Sequence, residues 1–175
     1  LTLLSKYLEN SKTTVFRQTQ FAEFELRMHE IVEKGQPLTG EALSKLYLEI
    51  VKKYYGNDQG ICIVDDYVAN EWSYIPHFYS NFYVFQYATS FTASSALSEK
   101  VLSGEPGATE RYLKFISAGG SKYPIELLKD AGVDMTTSEP LDLTINKMNR
   151  VMDQMEAILG PATPPPAKPQ PPKGN

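Results

Sequence analysis

The sequence predicts an all-α fold of several helices, on three observations. Apolar residues recur at three- and four-residue spacing through most of the chain, the period of an amphipathic helix. Glycine and proline mark the ends of those stretches. The one patch that could form a strand, Ile61-Cys62-Ile63-Val64, is four residues long and too short to decide between strand and loop.

Taken in order, residues 13–34 predict the first clear helix. Phe21, Phe24, Met28 and Ile31 form its apolar stripe, with Ala22 and Leu26 widening it. Thr13 or Thr14 can cap its start, and Gly35 followed by Pro37 ends it. A second helix is expected over 40–55, with Thr39 as N-cap, Leu43, Leu46, Tyr47 and Ile50 facing inward, and Gly56 as the stop. Turn formers then surround the short apolar patch within 57–67. A long helix is predicted over 76–101, with Pro76 in its first turn. Gly104, Pro106 and Gly107 break the chain before a helix over 108–116, and Gly119-Gly120-Ser121 reads as a tight turn. A short helix over 124–130 closes at Ala131-Gly132. The last helix, over 140–159, carries Leu141, Ile145, Met148, Met152, Met155 and Ile158 along one side. Residues 160–175 hold seven of the twelve prolines and predict a disordered or polyproline tail.

Composition excludes several function classes. The 175 residues fit one domain, or one lobe of a larger one. Net charge is −4 with both signs interspersed, so no basic arm or stripe supports nucleic-acid binding. The longest apolar runs are a few residues, far short of the roughly 20 that span a bilayer, so no membrane partner is expected. The opening Leu1-Thr2-Leu3-Leu4-Ser5 lacks the features of a signal peptide. It starts inside an apolar stretch, as would a piece of something longer. A single cysteine, Cys62, excludes an internal disulfide and makes the cytoplasm the expected compartment.

Candidate chemistry is sparse outside one segment. The two histidines are His29 and His77. His29-Glu30-Ile31-Val32-Glu33 has the outline of a His-Glu-x-x-His zinc motif, which sets two imidazoles one helical turn apart with a glutamate base beside them. Here the second imidazole is replaced by a carboxylate, and a solvated helix face is the simpler account. No metal ligands are expected from this chain. Nor is there a Gly-x-Ser-x-Gly elbow, and Cys62 has no histidine partner in sequence. The Gly119-Gly120-Ser121 turn lacks the lysine of a phosphate-binding loop.

The informative segment is 75–89. Aromatics are 11% of the chain and crowd between Tyr67 and Phe91. On a helix, at ~100° per residue, Ser80, Tyr83, Tyr87, Ser90 and Ser94 form one polar strip with His77 at its edge. Phe78, Phe82, Phe85 and Phe91 occupy the other sides, which predicts a largely buried helix whose polar groups, Gln86 among them, need partners. One possibility is that the tyrosines cap the core and bond main-chain carbonyls. The other is that His77 and the tyrosines donate hydrogen bonds into a cleft. Neutral imidazole and phenols of pKa ~10 are proton-bearing donors suited to an oxyanion.

Three blocks resemble oligoendopeptidase F, a branch of the thimet-oligopeptidase family of zinc peptidases. They are Phe16-Arg17-Gln18-Thr19-Gln20-Phe21-Ala22-Glu23-Phe24-Glu25, the 75–88 segment, and the stretch from Arg111-Tyr112 through Gly119-Gly120-Ser121-Lys122-Tyr123-Pro124 to Ala131-Gly132-Val133-Asp134-Met135. In the expected order, they cover roughly 13–158 and favour the cleft alternative for His77. The resemblance implies residues 1–159 as the C-terminal helical part of a channel-forming peptidase that takes short peptides. It implies zinc in the complete enzyme, held by an N-terminal His-Glu-x-x-His part that would be this chain's partner. It further implies His77 as a catalytic and substrate-binding residue, with Tyr83 and Tyr87 as its partners in both roles and Tyr79 as a further substrate contact. The tyrosine register differs between branches, and Phe82 stands where another branch places one. The competing expectation is a non-catalytic helical module that binds peptides or a partner.

Overall fold

The computed structural model describes residues 1–160 and is all-α, with seven α-helices and no strand among the described residues. The expected proline-rich tail lies, apart from Gly160, outside the described residues.

The helices are α1 (Thr2–Ser11), α2 (Arg17–Glu33), α3 (Gly40–Tyr54), α4 (Phe85–Leu102), α5 (Ala108–Ser117), α6 (Pro124–Asp130) and α7 (Glu139–Leu159). A π-helical turn, Lys12–Phe16, joins α1 to α2 without a break. The expected cap at Thr13 or Thr14 is therefore absent. Leu4, Tyr7 and Leu8 start the helix earlier, and the Thr13 hydroxyl donates back to the Glu9 carbonyl at 2.9 Å inside the helical run. At α3 the expected cap forms, Thr39 Oγ1 accepting from the Ala42 N–H at 3.1 Å. The Ile61–Val64 patch is a loop. Its first three residues are exposed, and the Asn57 side chain takes the Val64 N–H at 3.0 Å.

Two apolar clusters organise the fold. In the first, Phe21 and Phe24 of α2 meet Leu46, Tyr47, Ile50 and Val51 of α3, with Ile75 and Val84 inserted between them. A 3₁₀ stretch, Asp66–Tyr74, lies along α3, where the Trp72 indole N–H donates to Ser44 Oγ at 3.1 Å. In the second, Ala93, Ala96 and Leu97 of α4 pack with Ala131 and Val133, and Phe115, Leu128 and Leu143 close over them. Small residues on α4 let α7 approach closely. The Thr144 hydroxyl is fully buried there, donating to the Pro140 carbonyl at 2.9 Å. The buried face of α7 is Pro140, Thr144, Met148 and Val151, while Leu141, Met152 and Ile158 of the expected stripe are exposed.

The α4–α5 and α6–α7 connections meet at Arg111. Its guanidinium donates to the Pro106 carbonyl at 3.1 Å and pairs with Glu105. Gly132 has φ +92°, which favours glycine, and a Cβ there would crowd Arg111 Nε at 3.1 Å.

Beyond that junction, Asp134 accepts from Thr136 Oγ1 at 2.6 Å and the Thr136 N–H at 3.0 Å, with Lys129 at 2.9 Å. These bonds, the Thr136 hydroxyl first, hold its carboxyl down at about 2. A depressed carboxyl stabilises the fold fully above its unfolded value of ~3.9. We expect this contribution to fall away between that pH and about 2. Asp134→Asn should flatten that part of an acid-unfolding curve. An unchanged curve would refute the assignment.

Candidate active site

The segment 75–84 departs most from expectation. Instead of one long helix over 76–101, a 3₁₀ turn, Pro76–Tyr79, is followed by a non-helical stretch, and α4 begins at Phe85. A continuous helix would direct the Phe82 N–H to the Phe78 carbonyl. Here that N–H donates instead to Glu25 Oε1 on α2, at 2.8 Å. Phe82 takes φ 50°, the left-handed region, which costs a non-glycine residue about 1–2 kcal/mol. Turns fill the rest: the Ser80 N–H bonds the His77 carbonyl and the Tyr83 N–H bonds the Ser80 carbonyl, both at 3.0 Å. The predicted polar strip is therefore not a helix face, since Ser80 and Tyr83 lie before α4. Gln86 is exposed rather than buried, and so are Phe82 and Phe85, because the stretch runs over the core instead of through it.

Two buried residues fix this stretch. Ile75 at one end and Val84 at the other both insert into the first cluster, and Phe78 packs between Phe21 and Phe24. Between the pegs, Phe78 turns inward, His77 is half-buried and Tyr79 to Tyr83 are exposed.

His77, Tyr83 and Tyr87 come together there. The His77 and Tyr83 rings stack, 6.2 Å between centroids and 10° between planes. Tyr87 stands edge-on to both, at 5.3 Å from His77 and 5.4 Å from Tyr83. The two phenol oxygens are 3.2 Å apart. That hydrogen bond, ahead of burial, raises the Tyr87 phenol above its ordinary value. Two hydroxyl protons are thus present and one is used within the pair. The other is left to serve an outside acceptor. Tyr79 stands apart from this group, 86% exposed.

His77 Nδ1 is buried with no hydrogen-bond partner among the described residues. Buried polar atoms in folded proteins are almost always bonded. Within these residues the hydrogen bonding of the His77 ring is incomplete.

The described surroundings of His29 are not those of a metal ligand. His29 is packed against the Phe82 ring, centroids 4.6 Å apart, while Glu30 faces Lys34 at 3.9 Å. Among the described residues no group of three or more His, Cys, Asp or Glu side chains converges as ligands.

A second polar feature escaped the sequence reading. Arg17 of α2 pairs with Glu71, whose other oxygen accepts from the Tyr47 hydroxyl at 2.6 Å. Burial, then that bond, pushes the Tyr47 phenol far above its ordinary range. The network ties the 3₁₀ stretch to α2 and α3 and edges an open cleft of about 440 Å³, also lined by Tyr55, Val64 and Tyr74. His77, Tyr83 and Tyr87 do not line it. An apolar helix face interrupted at Gln20 and Glu25 was the available signal for polar groups in the core, since both are buried.

Fold and cluster together define a helical protein in which an imidazole and two phenols gather where a pegged stretch meets α4. Residues 2–147 match the family described as Peptidase family M3. The chain is 45% identical over 159 residues to oligopeptidase PepF of Bacillus subtilis, an alignment covering 91% of this chain and 23% of that protein. It is 43% identical to the plasmid-encoded oligoendopeptidase F of Lactococcus lactis subsp. cremoris, over 90% of this chain and 26% of the relative. The crystal structure of oligoendopeptidase-F from Enterococcus faecium superposes with a TM-score of 0.84 at 48% identity, over 90% of this chain and 30% of that one. The chain belongs to peptidase family M3. It spans about a quarter of the length of the curated relatives it matches.

Proposed function

We propose that this chain is the C-terminal portion of a zinc oligopeptidase catalytic domain, cleaving short peptides when joined to the zinc-bearing part of the same enzyme. The observation that carries this reading is the His77–Tyr83–Tyr87 cluster with its unpartnered imidazole nitrogen, within a chain of family M3. Zinc is the group the family resemblance implies, and it would be held by residues outside this chain. Bound there, it would polarise a carbonyl and activate water.

This chain's own contribution is donation. The scissile carbonyl gains negative charge as it becomes tetrahedral, and fixed N–H and O–H donors aimed at that oxygen lower the barrier. His77 supplies an imidazole held by stacking, and with Tyr87 taken as the donor within the phenol pair, Tyr83 supplies the remaining hydroxyl proton. Tyr87 orients Tyr83. In this reading the exposed Tyr79 is a further substrate contact, apart from the other three. The free Cys62 thiol suits a reducing compartment, and we assign the enzyme to the cytoplasm.

Chelation tests the reading. We expect the complete enzyme to cleave a short internally quenched peptide, to lose that activity in chelator, and to recover it with zinc. Cleavage that survives full metal removal, or peptide binding with no cleavage under any metal, would overturn the proposal.

A further inference from the structure

We propose that Glu25 is a positioning residue for the site: by holding the Phe82 N–H it sets the direction of the Tyr83 hydroxyl. The inference rests on the reading of Tyr83 as a donor, given above.

Glu25 sits on the face of α2 that meets the core and is 2% exposed. Its Oε1 accepts the Phe82 N–H at 2.8 Å. One helical turn further on, His29 lays its ring against the Phe82 ring at 4.6 Å. Thus α2 grips Phe82 twice, by its backbone and by its side chain. Phe82 is the residue directly before Tyr83, and among the described non-glycine residues it is the one with positive φ, 50°. A left-handed residue reverses the chain direction locally. With Phe82 in the ordinary helical region the backbone would continue the 3₁₀ turn, and the Tyr83 ring would leave its stacked position, 10° from the His77 plane. The bond to Glu25 is the interaction that selects the left-handed form. Val84, buried on the far side of Tyr83, then leaves that side chain little freedom.

The test uses the complete enzyme and compares Glu25→Leu with Glu25→Gln. Leucine keeps the volume and removes the acceptor, whereas glutamine keeps an oxygen in place. We expect Glu25→Leu to lower kcat on the order of 10²-fold, the size of effect a misplacement of about 1 Å produces, with KM little changed. Glutamine should restore most of the rate. Exchange of the Phe82 amide proton should accelerate in the leucine variant and remain slow in the glutamine variant. In a Tyr83→Phe background Glu25→Leu should cause no further loss, because its effect passes through that hydroxyl. A purely structural role would lower kcat equally in both backgrounds, and that result overturns the inference. So does an unchanged Phe82 amide in Glu25→Leu. If Glu25→Leu does not fold, Glu25→Asp, which withdraws the acceptor by one methylene, carries the same comparison. Failure of the reading beneath would look different: Tyr83→Phe and His77→Ala would both be silent in kcat.

Discussion

His77→Ala in the complete enzyme should lower kcat by ~10²–10³-fold, the usual loss on deleting one oxyanion donor, with zinc content and fold intact. The separation follows from where the residue sits. His77 packs on two tyrosines at the exposed edge of the first cluster, while Ile75 and Val84 do the anchoring. Alanine therefore removes a donor and a stacking surface without opening the core. Metal content measured by elemental analysis should match the unaltered enzyme, since no ligand is lost. Steady-state kinetics on a quenched peptide gives the split, and the loss should fall mainly in kcat, because the interaction strengthens as charge develops. An unchanged kcat would remove His77 from the catalytic account.

Phe24→Ala should destabilise the protein by about 3–5 kcal/mol, the cost of deleting a fully buried phenylalanine and leaving the cavity. Phe24 has no exposed surface and touches three rings, Tyr47 at 5.1 Å, Phe78 at 5.3 Å and Trp72 at 6.4 Å. It thus joins α2, α3, the 3₁₀ stretch and the turn that carries His77. Denaturant unfolding should show the loss as a lower midpoint, and the activity of the folded fraction should fall with it, since Phe78 adjoins His77. A change below about 1 kcal/mol, within the range of a surface substitution, would contradict the packing described.

Why some of this was legible in the sequence and some was not comes down to which interactions are local. The ends of α3, α5 and α6 were readable because Thr39, Gly107 and Pro124 act within a turn of their own positions. The inward face of α3 was readable for the same reason, being set by helical spacing alone. The break before α4 was not. The Phe82 N–H is satisfied by Glu25, 57 residues earlier, and no local pattern announces a bond of that span. The aromatic run over 78–87 fits a buried helix equally well by composition, and the tertiary bond overrides that preference.

The candidate site shows the same division. His77, Tyr83 and Tyr87 were singled out from a helical strip that does not exist, yet the structure brings these three together. Ile75 and Val84, buried at either end of the stretch that carries His77 and Tyr83, hold it in place, and neither was marked by spacing. Tyr79, expected only from the resemblance, lies in a 3₁₀ turn and projects away, exposed. The Arg17–Glu71–Tyr47 network joins three elements distant in sequence, so spacing could not reveal it.

The most direct measurement is a crystal structure of the complete enzyme with a peptide phosphinate, whose tetrahedral oxygen mimics the attacked carbonyl. The account predicts His77 and the Tyr83 hydroxyl about 2.7–3.1 Å from that oxygen, within donor range, with the Phe82 N–H still on Glu25. An analogue seated with both side chains turned away from it, or bound at a different face of the helices, would contradict it.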